Sequence, residues 1–180
     1  MKIQTILEYG HPSFKGYYAG LFNSRHRKLF AHYVCMVIKY HKHVKDGPDW
    51  IKKQIADFAG LLMALDNQKV SADKISQDIL SGEADQTGHV PDLKQYGKYE
   101  RKPIEMRHYW HVATIIKQTF DRYMDDGQTI NPKLEFFACV FCNVMEQAGS
   151  GNLRTDKWFS QIGVSNDMVK LYEFSFKQSL

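Results

Sequence analysis

Apolar residues recur at helical spacing along most of the chain, and the polar breaks between them mark where helices begin and end. The first predicted helix starts after Asn23-Ser24, both favourable N-cap residues, and runs to about Val44 before Asp46-Gly47-Pro48. Advancing about 100° per residue gathers Leu29, Tyr33, Met36, Val37, Tyr40 and Val44 on one apolar face. Pro48, in a first-turn position, opens a second helix that buries Ile51, Ile55, Phe58, Leu62 and Leu65. Ser71 caps a shorter third helix, ended by Ser81-Gly82. Residues 82–103 are polar and aperiodic, and read as a long loop. A fourth helix over 104–125 aligns Met106, Tyr109, Ala113, Ile116, Phe120 and Tyr123, and closes at Asp125-Asp126-Gly127. Asn131-Pro132 starts a fifth, apolar on nearly all sides and therefore expected at the centre of the core. After Gly149-Ser150-Gly151, two short helical pieces flank Gly163-Val164-Ser165. The last ten residues alternate enough (Tyr172, Phe174, Phe176) to offer a strand instead. The pattern predicts an all-α chain, one compact domain over residues 1–180 with about six to seven helices.

Composition supports a packed domain: 43% of residues are hydrophobic and 13% aromatic, enough for a sizeable core. The formal net charge of +4 is unevenly distributed. Residues 1–60 hold ten Lys/Arg against four Asp/Glu, whereas residues 61–180 hold fourteen against sixteen. Five of the eight histidines also lie in the first sixty residues. That asymmetry points to an anionic partner for the N-terminal third. Three cysteines without a spaced framework suit a reducing compartment. The start, MKIQTILEYGHPS, lacks an apolar run of signal-peptide length, and the longest strongly apolar run, Phe136 to Cys142, is too short to span a bilayer. A soluble intracellular, cytoplasmic protein is expected.

On the first helix, the arc opposite the apolar face carries Arg25, Lys28, His32, Lys39, Lys42 and His43, and Lys52 and Lys53 extend the patch. Such a stripe can follow a phosphate backbone, with Tyr17, Tyr18, Phe22, Tyr33 and Tyr40 close enough in sequence to stack on exposed bases. The main expectation is thus a non-catalytic RNA- or DNA-binding protein, a subunit of a nucleoprotein assembly or a homo-oligomer. The alternative is an adaptor that docks an acidic protein surface, using the 82–103 loop as a contact segment.

The string "IGVS" followed by Met168-Val169 resembles the turn and recognition-helix start of bacterial helix-turn-helix domains. Ile162, Gly163, Val164, Val169 and Tyr172 fit that spacing, with Trp158 anchoring the first helix and Thr155 capping it. The resemblance implies that Ser165, Asn166 and Lys170 face a groove. Phe159 departs from it, standing where such motifs keep a small residue, and Asp167 and Glu173 make the outward face a poor match for phosphate. Arg27 and His32 resemble, in spacing alone, the arginine and histidine of HEPN-type ribonucleases. That likeness implies metal-free RNA cleavage by the pair, with a dimer partner needed because they point to different sides of the helix.

Cys139 and Cys142 form a CxxC inside the most apolar helix, where cysteine acts as a small core residue. Glu8…His11 and Glu105…His108 have Glu-x-x-His spacing, but the apolar helices carry too few further carboxylates for a di-iron site. His108 and His111 are expected to straddle the edge of a helix. No phosphate-binding glycine loop, nucleophile elbow or zinc-protease motif occurs, so neither a metal nor a cofactor is expected.

Overall fold

The computed structural model describes residues 20–86, 104–122, 132–149 and 153–176, and these are all-α: no strand occurs among them. The elements are α1 (Ser24–Tyr40), α2 (Lys42–Lys45), α3 (Asp49–Asp66), α4 (Ala72–Ser81), α5 (Glu83–Gln86), α6 (Met106–Arg122), α7 (Pro132–Ala148), α8 (Thr155–Ile162) and α9 (Asn166–Leu171). A wider helical turn, Tyr172–Phe176, follows α9, so the strand alternative for the chain end is wrong for those residues. Glu8, His11, Tyr17 and Tyr18 lie outside the described residues, as does most of the expected loop, 87–103. The expected ends at 123–127 and the Asn131 cap lie outside them too. The first part of that loop is helical, as α5.

Most helix boundaries follow local capping chemistry. Asn23 caps α1 by accepting from the His26 amide at 2.9 Å. Ser71 caps α4 by accepting from the Lys74 amide at 3.2 Å, and Gly82 ends it with φ of 79°. Pro48 stands one place earlier than expected, as the N-cap of α3.

The boundary between the first two helices has no such signal. The winding expected to reach Val44 stops at Tyr40, His41 is extended, and α2 restarts at a new angle. No proline or glycine marks the break. Both His41 and Val44 are fully buried on either side of it, so packing of α2 against α1 and α3 sets the kink.

The core forms where α1, α3 and α7 meet. Phe141 of α7 packs against Phe30 of α1 and Phe58 of α3, with ring centroids 6.0 and 5.3 Å apart. Residues 137–145 of α7 are buried without exception, as its all-round apolar pattern predicts. Helix α1 contacts α7, α3, α4 and α5, which makes its buried arc broader than the sequence suggested. The buried set is His26, Leu29, Phe30, Ala31, Val34, Cys35 and Val37. Tyr33 and Met36 are only half-buried, and Tyr40 is exposed, contrary to the expected apolar face. Helices α3 and α4 run so close that a side chain at Gly60 would collide with the Ala72 carbonyl. Among the described residues no helix is long and apolar enough to cross a membrane.

Candidate nucleic-acid interface

With α1 enclosed on most sides, its outward strip is narrow. Arg25, Lys28 and Lys39 are exposed and His32 is half-buried. At 3.6 residues per turn these four positions fall within about 60° of arc and span about 21 Å along the axis. The strip therefore exists, but it ends at Tyr40. Lys42 and His43 belong to α2, beyond the kink at His41, so the single continuous winding that would carry all six residues is corrected to two segments. Both side chains are exposed, as is Lys45. Residues 24–45 hold six Lys/Arg and not one Asp or Glu.

Not every expected cation is equally available. Lys53 bonds Asp57 at 2.6 Å and Lys52 meets Asp49 at 3.5 Å, so the extension onto α3 is largely neutralised locally. Among the described residues no ion pair engages Lys28, Lys42 or Lys45. Phe22 is fully buried, which removes it from the expected stacking aromatics.

Arg27 donates from its guanidinium to the Phe22 carbonyl at 2.7 Å, bracing the entry to α1. It lines a groove of about 330 Å³ between α1, α4 and α5, where Lys28 and Lys74 face Asp78 and Glu83 over Ala31 and Val70. His32 lies about 140° around the helix from Arg27, with its ring edge-on to Tyr33. The pair is thus not assembled within this chain.

At the C-terminal corner, α8 ends in a Schellman motif at Gly163, whose φ is 90°. The Val164 amide donates to the Phe159 carbonyl at 3.0 Å and the Gly163 amide to the Ser160 carbonyl at 3.2 Å. Arg154, rather than Thr155, occupies the N-cap of α8; Thr155 is the first helical residue and is buried. Trp158 is the anchor expected of it, fully buried and donating from Nε1 to the Tyr109 carbonyl at 2.9 Å. Phe159 is accommodated by packing edge-on against Trp158 and Tyr172. Ser165 caps α9 through the Met168 amide, and Asn166 and Lys170 are exposed on a helix only six residues long. Tyr172 ties this corner to α7 by donating to Glu146.

A further polar cluster escaped sequence reasoning. His26 and His108 each occupy the third position of a helix, and each Nδ1 accepts the N-cap amide, from Asn23 at 3.1 Å and Glu105 at 2.9 Å. The two helix starts abut, with the imidazole centroids 4.3 Å apart. The bonds fix both rings as the Nε2–H tautomer, and His108 Nε2 donates to the Leu21 carbonyl at 3.2 Å. Beside them the fully buried Asp66 carboxylate accepts from the Leu21 and Phe22 amides and from His111 Nε2, at 2.8, 3.2 and 2.9 Å. Burial, chiefly, with the neighbouring His108 next, lowers the His26 pKa from 6.5 to about 4. Burial lowers that of His108 as well. His108 is thus enclosed rather than at a helix edge. The available signal was a histidine three residues after Asn23 and another in the first turn of the helix predicted from 104.

Cys35, Cys139 and Cys142 are buried and in no disulfide, and burial, then Glu135, pushes the Cys139 pKa up to about 12. Cys139 is therefore a poor thiolate source. Among the described residues no three His, Cys, Asp or Glu side chains are arranged to hold a metal. No protein-family model matches the chain, and comparisons with curated proteins and with solved structures find no match.

Proposed function

We propose that this protein binds nucleic acid through the outward strip of α1 and its continuation on α2, without chemistry on the bound strand. The supporting observation is that every exposed charged side chain from Ser24 to Lys45, on α1 and α2, is a cation. Phosphate neutralisation by such a strip provides affinity with little sequence preference. Helix α9 contributes little, because Asp167 and Glu173 outweigh Lys170. The ribonuclease reading is not carried forward, since Arg27 is committed to the Phe22 carbonyl and turned away from His32.

The test is fluorescence anisotropy with labelled oligonucleotides across a salt series. Binding should weaken steeply with salt. Replacing Arg25, Lys28, Lys39 and Lys42 by Gln should flatten the log–log slope by roughly 3 units, at about 0.7–0.9 per lost phosphate contact. Undetectable binding at low salt, or an unchanged slope in the variant, refutes the reading. Capture of an acidic protein with no nucleic-acid binding would favour the adaptor alternative.

A further inference from the structure

The kink at His41 does more than interrupt the strip, because it presents aromatic rings beside it. Among the described residues, the exposed large apolar side chains include three aromatics: Tyr40, Trp50 and Phe174. Two of the three flank the same turn. Tyr40 is 58% exposed at the last position of α1, and Trp50 is 50% exposed in the first turn of α3. Between them lie the exposed Lys42, His43 and Lys45 of α2.

The corner is tight. A Cβ at Gly47 would sit 3.5 Å from the His43 carbonyl and 3.8 Å from Ile51 Cδ1, so the end of α2 rests against the first turn of α3. The fully buried Val44 holds α2 down from beneath. Asp46 and Asp49 are the acids of the corner, and Asp49 is engaged by Lys52 at 3.5 Å.

Leaving a Trp and a Tyr half in water forgoes hydrophobic stabilisation that burial would provide. Placed around a cationic turn, they have the composition of a base-stacking platform: rings for the π-faces of bases and ammonium groups for the phosphates between them. A paired helix hides its base faces inside the stack, so rings of this kind act only on unpaired bases. Resting on the nucleic-acid reading above, we propose that the α1–α2–α3 corner selects single-stranded over double-stranded nucleic acid by stacking bases on Tyr40 and Trp50.

The experiment compares one oligonucleotide sequence as a single strand and as a duplex, in DNA and in RNA form. Proteins tested are the full chain, Tyr40→Ala/Trp50→Ala and the conservative Tyr40→Phe/Trp50→Phe. The parent should prefer the single strand. The alanine pair should weaken single-strand binding by at least about fivefold, from a stacking contribution of about 1–3 kcal/mol per base. Duplex affinity and the salt slope should hold, and the phenylalanine pair should retain most of the affinity. Because both rings are exposed, circular dichroism should show all variants folded. Equal parental affinity for duplex and single strand, or an alanine pair that binds single strands as the parent does, overturns the stacking inference and leaves phosphate binding standing. Absence of salt-dependent binding to either form overturns both.

Discussion

The two ends of α1 have similar ingredients and opposite fates. At its N-terminal end His26 meets His108, Asp66 meets His111 and the Leu21 and Phe22 amides, and the polar atoms turn inward to satisfy one another and the backbone. At its C-terminal end Lys39, Lys42, His43 and Lys45 turn outward, accompanied by Tyr40 and Trp50. Histidine-rich, cation-rich sequence runs through both. What separates them is how far the surrounding helices enclose them. The N-terminal end meets the start of α6 and the end of α3, whose capping geometry consumes its donors and acceptors. Past the C-terminal end lie the short α2 and the first turn of α3, where Tyr40, Lys42, His43, Lys45 and Trp50 stay exposed. The two ends are therefore told apart by charge that the fold leaves outward, not by charge density itself.

The comparison breaks most visibly at Asp66. Asp66→Ala would strand two amides and an imidazole N–H in the protein interior, and should cost about 3 kcal/mol or more. Urea unfolding measures this; a loss below 1 kcal/mol, in the range of ordinary surface changes, would mean that the junction is not built as described.

Acid is the next lever. His26 titrates near 4 in the folded chain and near 6.5 when unfolded. As pH falls, the unfolded chain takes up its proton first. The contribution of His26 is therefore complete above about 6.5, declines between 6.5 and about 4, and changes no further below that. The lowered His108 acts with the same sign. Protonating either Nδ1 would also break a cap and add positive charge to a pair of rings in contact. The urea midpoint should fall through this window in the parent and fall less in His26→Asn. Parallel pH profiles would exclude His26 as the cause.

Cation removal along the outward strip should change binding and leave stability nearly untouched. For each of Arg25→Gln, Lys28→Gln and Lys42→Gln the unfolding free energy should move by no more than about 0.5 kcal/mol. The smallest effect on binding is expected at Lys53, whose ammonium already faces Asp57 at 2.6 Å. Lys53→Gln should shift stability by about 0–1 kcal/mol and leave the salt slope of binding at the parental value.

Much of the fold was legible because helix starts and stops are local. Asn23, Pro48, Ser71, Gly82, Pro132 and Gly163 act through bonds or dihedrals within a few residues of themselves, so their effect can be read along the chain. The all-round burial of α7 was legible for a related reason, since a helix without a polar face has nowhere to be but inside. The candidate strip was legible only in part. Arg25, Lys28, His32 and Lys39 share a face by helical geometry alone, whereas the transfer of Lys42 and His43 to another element depends on where His41 and Val44 find room.

The sequence by itself thus determined most of the helices, their order and the concentration of cations near the start of the chain. Tertiary structure decided how α1 was rotated into its neighbours, which basic groups were already engaged, and that two helix-capping histidines would meet. Those outcomes depend on contacts between residues such as Asp66 and His111 that are far apart in the chain, and no local periodicity encodes such contacts.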